Sequence, residues 1–152
     1  MFKKMFLTSF VMLLVSAAQV RAQLPITIPV NWQPPAPVRE GTNYAVPYAG
    51  FTSFDQFGPY IVYNPRLYGN YPQPMLVFLR AHEYGHVYSR GPFANPEANA
   101  DCWAASQLSR TDPEIFGQVV WYMENVVGPR GGDATHGNGF QMAQLMRQCA
   151  AR

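Results

Sequence analysis

The chain has 152 residues and a formal net charge of +2, with 48% hydrophobic and 13% charged residues. Three of its eleven basic residues lie within the first 22 positions, so residues 23–152 keep eight arginines against nine acidic residues, a net charge of −1. This balance excludes the strongly basic surface of a nucleic-acid-binding domain, and we expect no nucleic-acid partner. The 130 residues after position 22 are enough for one domain with one hydrophobic core.

Residues 1–22 have the organisation of a secretory signal peptide. Lys3 and Lys4 give a positive start, an apolar run follows from Met5 to Val15, and Ala22 ends a small-residue segment typical of a cleavage site. The apolar run is short for a membrane span, although an uncleaved anchor is the alternative interpretation. We therefore expect cleavage after Ala22 and export to the periplasm or the extracellular space, with no membrane segment in the mature form.

Residues 23–43 are predicted to form a proline-rich extended arm, because proline disfavours helix and removes a backbone hydrogen-bond donor. A single folded domain is expected over residues 44–152. Within it, Tyr60–Tyr63, which an Asn-Pro pair closes, is the best strand candidate, and Tyr44–Tyr48 is a weaker one. We expect a short antiparallel sheet of two or three strands beside the helices.

From about residue 75 onward the pattern is helical, and four helices are predicted. Apolar spacing and the capping chemistry of Asn95-Pro96 and Asp112-Pro113 define them. The predicted ranges are 75–89, 95–110, 112–127 and 140–150, with a glycine-rich loop over residues 128–139. These elements predict an α+β fold in which the short sheet packs against a helical half and the first of the four helices lies at the centre.

That first helix carries a His-Glu-x-x-His motif at residues 82–86. His82 and His86 are four positions apart, so both imidazoles lie on one helix face and can reach one metal ion. Glu83 lies about 100° around the helix, where it can meet a metal-bound water. The pattern predicts a hydrolytic zinc site. The alternative is a pair of buried, hydrogen-bonded histidines without a metal.

A catalytic zinc needs a third protein ligand besides two histidines. Glu97 and Asp101 are also four apart, on one face of the next helix, and the connection from His86 is short. We predict Glu97 as the third ligand and Asp101 as the hydrogen-bond acceptor for the far nitrogen of a liganding histidine. A solvated helix start with a surface aspartate is the alternative interpretation of this pair.

The two cysteines, Cys102 and Cys149, form an even pair in a chain expected to enter an oxidising compartment. We predict a disulfide between them, which would stabilise the fold by about 4 kcal/mol in the chain-entropy model. Two free thiols, or a cysteine ligand to the metal, are the alternatives.

The motif at residues 82–86, followed by Glu-x-x-x-Asp-x-x-Ala at residues 97–104, resembles the gluzincin clan of zinc metallopeptidases. It is similar in particular to the minimal catalytic core of the HtpX and CAAX prenyl protease family and its small soluble relatives. The resemblance covers roughly Leu79–Leu108. It implies a small zincin-like domain. The connection between the two helices is shorter than is usual in the family, and the membrane helices of its large members are absent from this pattern.

Carried over residue by residue, the resemblance implies that His82, His86 and Glu97 bind zinc and that Glu83 is the general base. Because the connection is short, Asp101 stays open as an alternative third ligand.

The family also has a histidine late in the catalytic core. His136, the only other histidine of this chain, lies on the glycine-rich loop, and we predict that it donates a hydrogen bond to the developing oxyanion. A solvent-exposed loop histidine is the alternative.

These patterns together predict an exported zinc metallopeptidase that hydrolyses peptide bonds in a peptide or protein substrate. The strand around Ile61 could align an extended peptide by main-chain pairing. Two other classes stay open: a secreted zinc-binding structural or interaction module without turnover, and a metal-free binding domain stabilised by its disulfide.

Overall fold

The computed structural model describes residues 33–36, 38–89, 91–133 and 136–152. These residues form a small sheet and five α-helices, which confirms the predicted α+β fold class. The predicted signal peptide and residues 23–32 of the predicted arm lie outside the described residues. Among the helices within the described ranges, none combines the length and the apolar character that crossing a membrane requires.

Three short strands precede the first helix along the chain. The main strands are β1 (Arg39–Thr42), β2 (Gly50–Asp55) and β3 (Gly58–Tyr63), and a small hairpin follows later with β4 (Gly132–Asp133) and β5 (Gly137–Asn138). The helices are α1 (Pro65–Tyr68), α2 (Gln73–Tyr88), α3 (Pro96–Thr111), α4 (Pro113–Tyr122) and α5 (Gly139–Ala150). Helix α4 continues into a π-helical turn at Met123–Val127 and a 3-10 turn at Gly128–Arg130.

Strand β3 lies in the middle of the three-stranded sheet, whose order is β1-β3-β2. The predicted strand Tyr60–Tyr63 is confirmed as the main part of β3. Strand β2 pairs with β3 antiparallel, as predicted, whereas β1 pairs with β3 in parallel, so the sheet is mixed. The predicted arm therefore ends in a strand. The proline run stops at residue 37, and the residues of β1 keep the backbone donors that pairing requires.

The weaker strand prediction, Tyr44–Tyr48, is wrong, because side chains take up the backbone groups that a strand would pair. Asn43 Oδ1 accepts a hydrogen bond from Ala45 N at 2.9 Å. Asn64 Nδ2 donates to the carbonyl oxygen of Val46 at 2.6 Å. These contacts turn the chain, and the segment that follows, β2, is the strand instead.

Side-chain caps begin the helices where the sequence predicts them. Asn95 accepts a hydrogen bond from Glu97 N at 3.0 Å at the start of α3. Asp112 accepts one from Ile115 N at 3.1 Å at the start of α4. The four predicted helices are confirmed with shifts of one or two residues at their ends, except that the third becomes π-helical from Met123. The predicted glycine-rich loop contains the β4–β5 hairpin.

Helix α2 lies at the centre of the domain, as predicted, and packs against β2, α3 and α4. Its residues Val77 and Ala81 are fully buried. The closest approach to α3 is at Gly85, where an added Cβ would lie 2.7 Å from both Cα and the carbonyl oxygen of Ala100. Because no side chain fits there, the two helices pack closer at this point than an alanine would allow.

A disulfide joins Cys102 on α3 to Cys149 on α5, as predicted. It ties the helix that carries Glu97 and Asp101 to the last helix of the chain, across a sequence separation of 47 residues. A disulfide is compatible with an exported protein, since exported proteins fold in oxidising compartments.

We expect Gly85→Ala to lower the free energy of unfolding by about 1–3 kcal/mol, because the added methyl overlaps backbone atoms that cannot move independently. Gly117 on α4 is the matched control, since an added Cβ there meets nothing within 4 Å. Gly117→Ala should leave stability unchanged or raise it by roughly 0.5–1 kcal/mol, as expected for glycine in a helix interior. Chemical denaturation of the oxidised proteins measures both changes, and equal stability of the two variants would contradict the close packing.

Candidate metal centre

Three side-chain atoms converge between α2 and α3. Nε2 of His82 lies 3.0 Å from Nε2 of His86 and 3.1 Å from Oε2 of Glu97. The third side of this triangle, from His86 Nε2 to Glu97 Oε2, measures 3.2 Å. Because the two histidines are one turn apart on α2 and Glu97 is in the first turn of α3, the packing of these two helices sets all three distances. The three side chains together could hold a metal ion.

The size of this triangle suits a small divalent ion with tetrahedral coordination. Ligand bonds of roughly 2.0–2.2 Å in a tetrahedron separate neighbouring ligand atoms by roughly 3.3–3.6 Å. The measured separations of 3.0, 3.1 and 3.2 Å are only a few tenths of an ångström shorter. His82, His86 and Glu97 could therefore supply three ligands to such an ion, which would leave one of its four coordination positions open.

Asp101 fixes the orientation of His82 from behind. Its carboxylate is 1% exposed, and Oδ1 accepts a hydrogen bond from His82 Nδ1 at 2.7 Å. With the proton on Nδ1, the lone pair of Nε2 points to the centre of the triangle, as in the carboxylate–histidine pairs of metal sites. Asp101 contacts the histidine from outside the ligand triangle, so the structure places Glu97, and not Asp101, at the third corner.

The charges of the site favour a bound cation. Burial lowers the pKa of His82, but hydrogen bonds with Asp101 and Glu97 outweigh burial and raise that pKa to about 10. The hydrogen bond from His82 in turn lowers the pKa of Glu97. Burial, together with the neighbouring charge on His82, lowers the pKa of His86. A single proton on His82 thus offsets only one of the two carboxylate charges of Glu97 and Asp101. The ion-free site keeps a negative charge, and a metal ion can replace that proton.

Glu83 is buried beside the triangle and contacts the sheet. Its Oε2 accepts a hydrogen bond from the hydroxyl of Thr52 on β2 at 2.6 Å. A side chain at position 50 would overlap the same carboxylate, so Gly50 provides the space that Glu83 occupies. Burial raises the pKa of Glu83, and the charge on His82 and the Thr52 hydroxyl oppose that rise. Glu83 is therefore held by a neighbouring strand, and its oxygens are not among the three converging atoms.

Thr52 and Gly50 are the two site residues that the sequence interpretation missed. The signal that could have found their strand is the Asp55–Gly58 turn, where Asp55 Oδ1 accepts a hydrogen bond from Phe57 N at 2.8 Å. Residues 51–58 read Phe-Thr-Ser-Phe-Asp-Gln-Phe-Gly. A strand-like segment followed by such an Asp and Gly turn is typical of a hairpin.

The structure places His136 beside His82, with ring centroids 5.6 Å apart. The alternative of a solvent-exposed loop residue therefore does not hold. His136 lies in the β4–β5 hairpin, and its side chain is 26% exposed. Nδ1 lies 3.3 Å from Oδ2 of Asp101, and Nε2 lies 3.6 Å from Oε2 of Glu97. Burial raises the pKa of Asp101, but hydrogen bonds with His136 and His82 outweigh burial and lower it. The Asp101 carboxylate therefore links His136 to the triangle of His82, His86 and Glu97.

The described part of the arm packs on the side of α2 that is opposite to His82 and His86. Arg80 Nε donates to Glu40 of β1 at 3.0 Å, and the Tyr84 hydroxyl donates to the same carboxylate at 2.8 Å. Tyr88 donates to the carbonyl oxygen of Ala36 at 3.1 Å. Tyr84 is two residues from His82, hence roughly 200° around the helix. Ala36 and Glu40 therefore contact the helix face that points away from the imidazoles.

The triangle opens into a cleft with a volume of about 760 Å³, within the range of ligand sites. Residues of β2, α2, the π-helical turn and the β4–β5 hairpin line the cleft. The lining residues include Tyr48, Gly50, Phe51, Thr52, Tyr71, Met75, Phe78, Leu79, Glu83, Tyr122, Met123, Val127, Gly137 and Met142. The prediction that the strand around Ile61 aligns a peptide is wrong, because Ile61 is on β3, whose two edges pair with β1 and β2.

No family model, no curated protein and no solved structure matches this chain.

The geometry predicts that each chain binds one divalent ion. Titration of the ion-free protein against a competing chelator measures this binding. His82→Ala and His86→Ala should abolish stoichiometric binding, because each removes a corner of the triangle. Asp101→Asn should weaken binding by about 10-fold to 100-fold, the usual effect of losing the residue that orients a liganding histidine. His136→Ala is the matched histidine control and should keep one ion per chain. Full binding by His86→Ala would contradict the site.

Proposed function

We propose that the chain is an exported zinc-dependent metallopeptidase that hydrolyses peptide bonds. The observation that carries the proposal is Glu83, a buried carboxylate held by Thr52 at 2.6 Å next to three converging ligand atoms at the bottom of a cleft. A site that only stabilised the fold would need no carboxylate beside an open coordination position. The resemblance to the gluzincin metallopeptidases, noted from residues 82–104, points to the same activity.

Two imidazole nitrogens and one carboxylate oxygen favour zinc among the common divalent ions. Magnesium and calcium prefer all-oxygen sites, and a purely structural zinc site has four protein ligands. When bound, zinc would polarise the scissile carbonyl and lower the pKa of a coordinated water.

Glu83 then acts as the general base. It takes a proton from the attacking water and returns it to the leaving amine. The Thr52 hydroxyl donates to Oε2 of Glu83. The second oxygen, Oε1, lies beside Gly50, and Gly50 and Glu83 both line the cleft. The raised pKa of Glu83, caused by its burial, suits a group that must accept a proton and later release it.

His136 is proposed to stabilise the oxyanion that forms on the scissile carbonyl. Because Nδ1 lies against Asp101, Nε2 is the nitrogen that would donate to the oxyanion. In this role the ring would donate through both nitrogens, Nδ1 to Asp101 and Nε2 to the oxyanion.

Strand β2 borders the cleft and is an edge strand of the sheet within the described part of the chain. We place an extended substrate along this strand, where its main chain can pair with the strand as an added β-strand would. The bond to be cut would then pass over Glu83, which contacts the middle of β2 through Thr52.

Glu83→Gln tests the role of the general base. Turnover of a peptide library should fall by about 100-fold to 10,000-fold, the usual contribution of general acid–base catalysis, while zinc content stays at one ion per chain. Glutamine keeps the size of the side chain and its contact with Thr52, so loss of zinc is not expected. Activity equal to wild type would reject the mechanism. A wild-type protein that holds zinc but cuts no peptide would favour the alternative of a zinc-binding module without turnover.

Thr52→Val separates positioning of the base from its chemistry. Valine has the same shape as threonine but lacks the hydroxyl. A hydrogen bond to a charged group is worth about 1.5–3 kcal/mol at most, so losing the bond to Glu83 should lower kcat by roughly 10-fold. KM and zinc content should stay unchanged. Thr52→Ser should restore most of the rate. Ser53→Ala removes a hydroxyl from the next residue of the same strand and should have little effect. An equal loss in Ser53→Ala and Thr52→Val would indicate general damage to β2.

A further inference from the structure

The cleft is lined in part by aromatic side chains that are exposed to solvent and not packed in the hydrophobic core. Tyr48 is 62% exposed, Phe51 41% and Tyr71 40%, and all three line the cleft. The rings of Tyr48 and Phe51 stack on each other, with centroids 6.5 Å apart and planes inclined by 20°. Exposed aromatic rings grouped at a cleft mark a surface that binds apolar groups.

Other parts of the cleft lining are also apolar. Met75, Phe78 and Leu79 of α2 line it together with Met123 and Val127 of the π-helical turn. Methionine side chains are flexible and adapt to ligands of different shapes. The cleft therefore offers apolar contacts without demanding one particular side chain.

No lysine or arginine is among the described residues that line the cleft. Its three carboxylates all have partners on the protein: Glu83 accepts from Thr52, Glu97 contacts His82 and Asp101 contacts two histidines. A charged side chain entering the cleft would lose its hydration without meeting a lysine, an arginine or a carboxylate that lacks a protein partner, which is costly. A free terminal carboxylate would in addition face the acidic side of the triangle.

From these observations we infer that the cleft binds internal segments of polypeptide that carry aromatic or large aliphatic side chains. This substrate class rests on the proposed peptidase function and makes the protein an endopeptidase. No lysine or arginine lines the cleft to bind a terminal carboxylate, so nothing in the described lining selects chain ends. The edge of β2, six residues or about 20 Å long, accommodates an extended segment of similar length. Main-chain pairing along this edge favours a peptide over a sugar chain, although both can stack on aromatic rings.

The test measures binding separately from catalysis. Zinc-loaded Glu83→Gln protein is titrated with fluorescent eight-residue peptides that are blocked at both ends and differ only in a central Phe, Leu, Asp or Lys. We expect the Phe and Leu peptides to bind at least about tenfold more tightly than the Asp and Lys peptides, since burying one large apolar side chain contributes about 1.5–3 kcal/mol. A Phe peptide with a free carboxylate should bind more weakly than its blocked form.

Two exposed phenylalanines of the same strand provide matched variants. Phe51 lines the cleft, whereas Phe54 is 63% exposed and is not among the lining residues. In the Glu83→Gln background, Phe51→Ser should weaken binding of the Phe peptide by about tenfold, and Phe54→Ser should change it by less than twofold. Tyr71→Ser, which changes another exposed aromatic residue of the cleft lining, is a second variant in case Phe51→Ser fails to fold.

The outcomes separate the substrate class from the peptidase activity. Preference for apolar peptides in binding, without turnover by the wild type, would support the substrate class and reject the proposed function. Turnover by the wild type with equal binding of all four peptides would overturn the substrate class and leave the function intact. Tighter binding of the Asp, Lys or free-carboxylate peptides, or displacement of the Phe peptide by a neutral oligosaccharide, would also overturn it.

Discussion

The close contact of α2 with α3 is the constraint on which the whole site depends. At Gly85 the backbone of α2 reaches the backbone of Ala100 with no side chain between them. One turn away, the same approach brings His82 and Glu97 to 3.1 Å and lets Asp101 reach the other nitrogen of His82 at 2.7 Å. A larger residue at the contact would separate the helices, and the ligand triangle would open before any ligand had been changed.

Asp101 connects this contact to the rest of the domain. Each of its oxygens contacts a different histidine, His82 on α2 and His136 on the β4–β5 hairpin. Its neighbour in the sequence, Cys102, is bonded to Cys149 on α5, the helix that begins directly after the hairpin. The disulfide and the shared carboxylate therefore hold the same two parts of the chain together, one covalently and one by charge. Oxidation in an exported protein would thus reinforce the geometry of the site.

Those parts of the site that depend on helical spacing could be predicted from the sequence. His82 and His86 share a face because a helix repeats every 3.6 residues, and the Asn95-Pro96 cap begins α3 so that Glu97 falls in its first turn. The short connection between the helices then leaves few ways to pack them. The strand residues of the site could not be predicted in this way. Thr52 reaches Glu83 only because β2 pairs with β3, and such pairing depends on residues far apart in the sequence.

The wrong prediction for Ile61 has the same origin. A strand pattern shows that a segment is extended, but it does not show whether the strand lies at the edge of a sheet or in the middle. The parallel pairing of β1 places β3 in the middle and leaves β2 beside the cleft. This order has a chemical consequence, because one short strand then serves two purposes. Its Thr52 hydroxyl holds Glu83, while its Phe51 ring and its open edge face the space where a substrate would lie. The register of β2 on β3 thereby couples the position of the base to the position of the proposed substrate, and a slip by one residue would disrupt both.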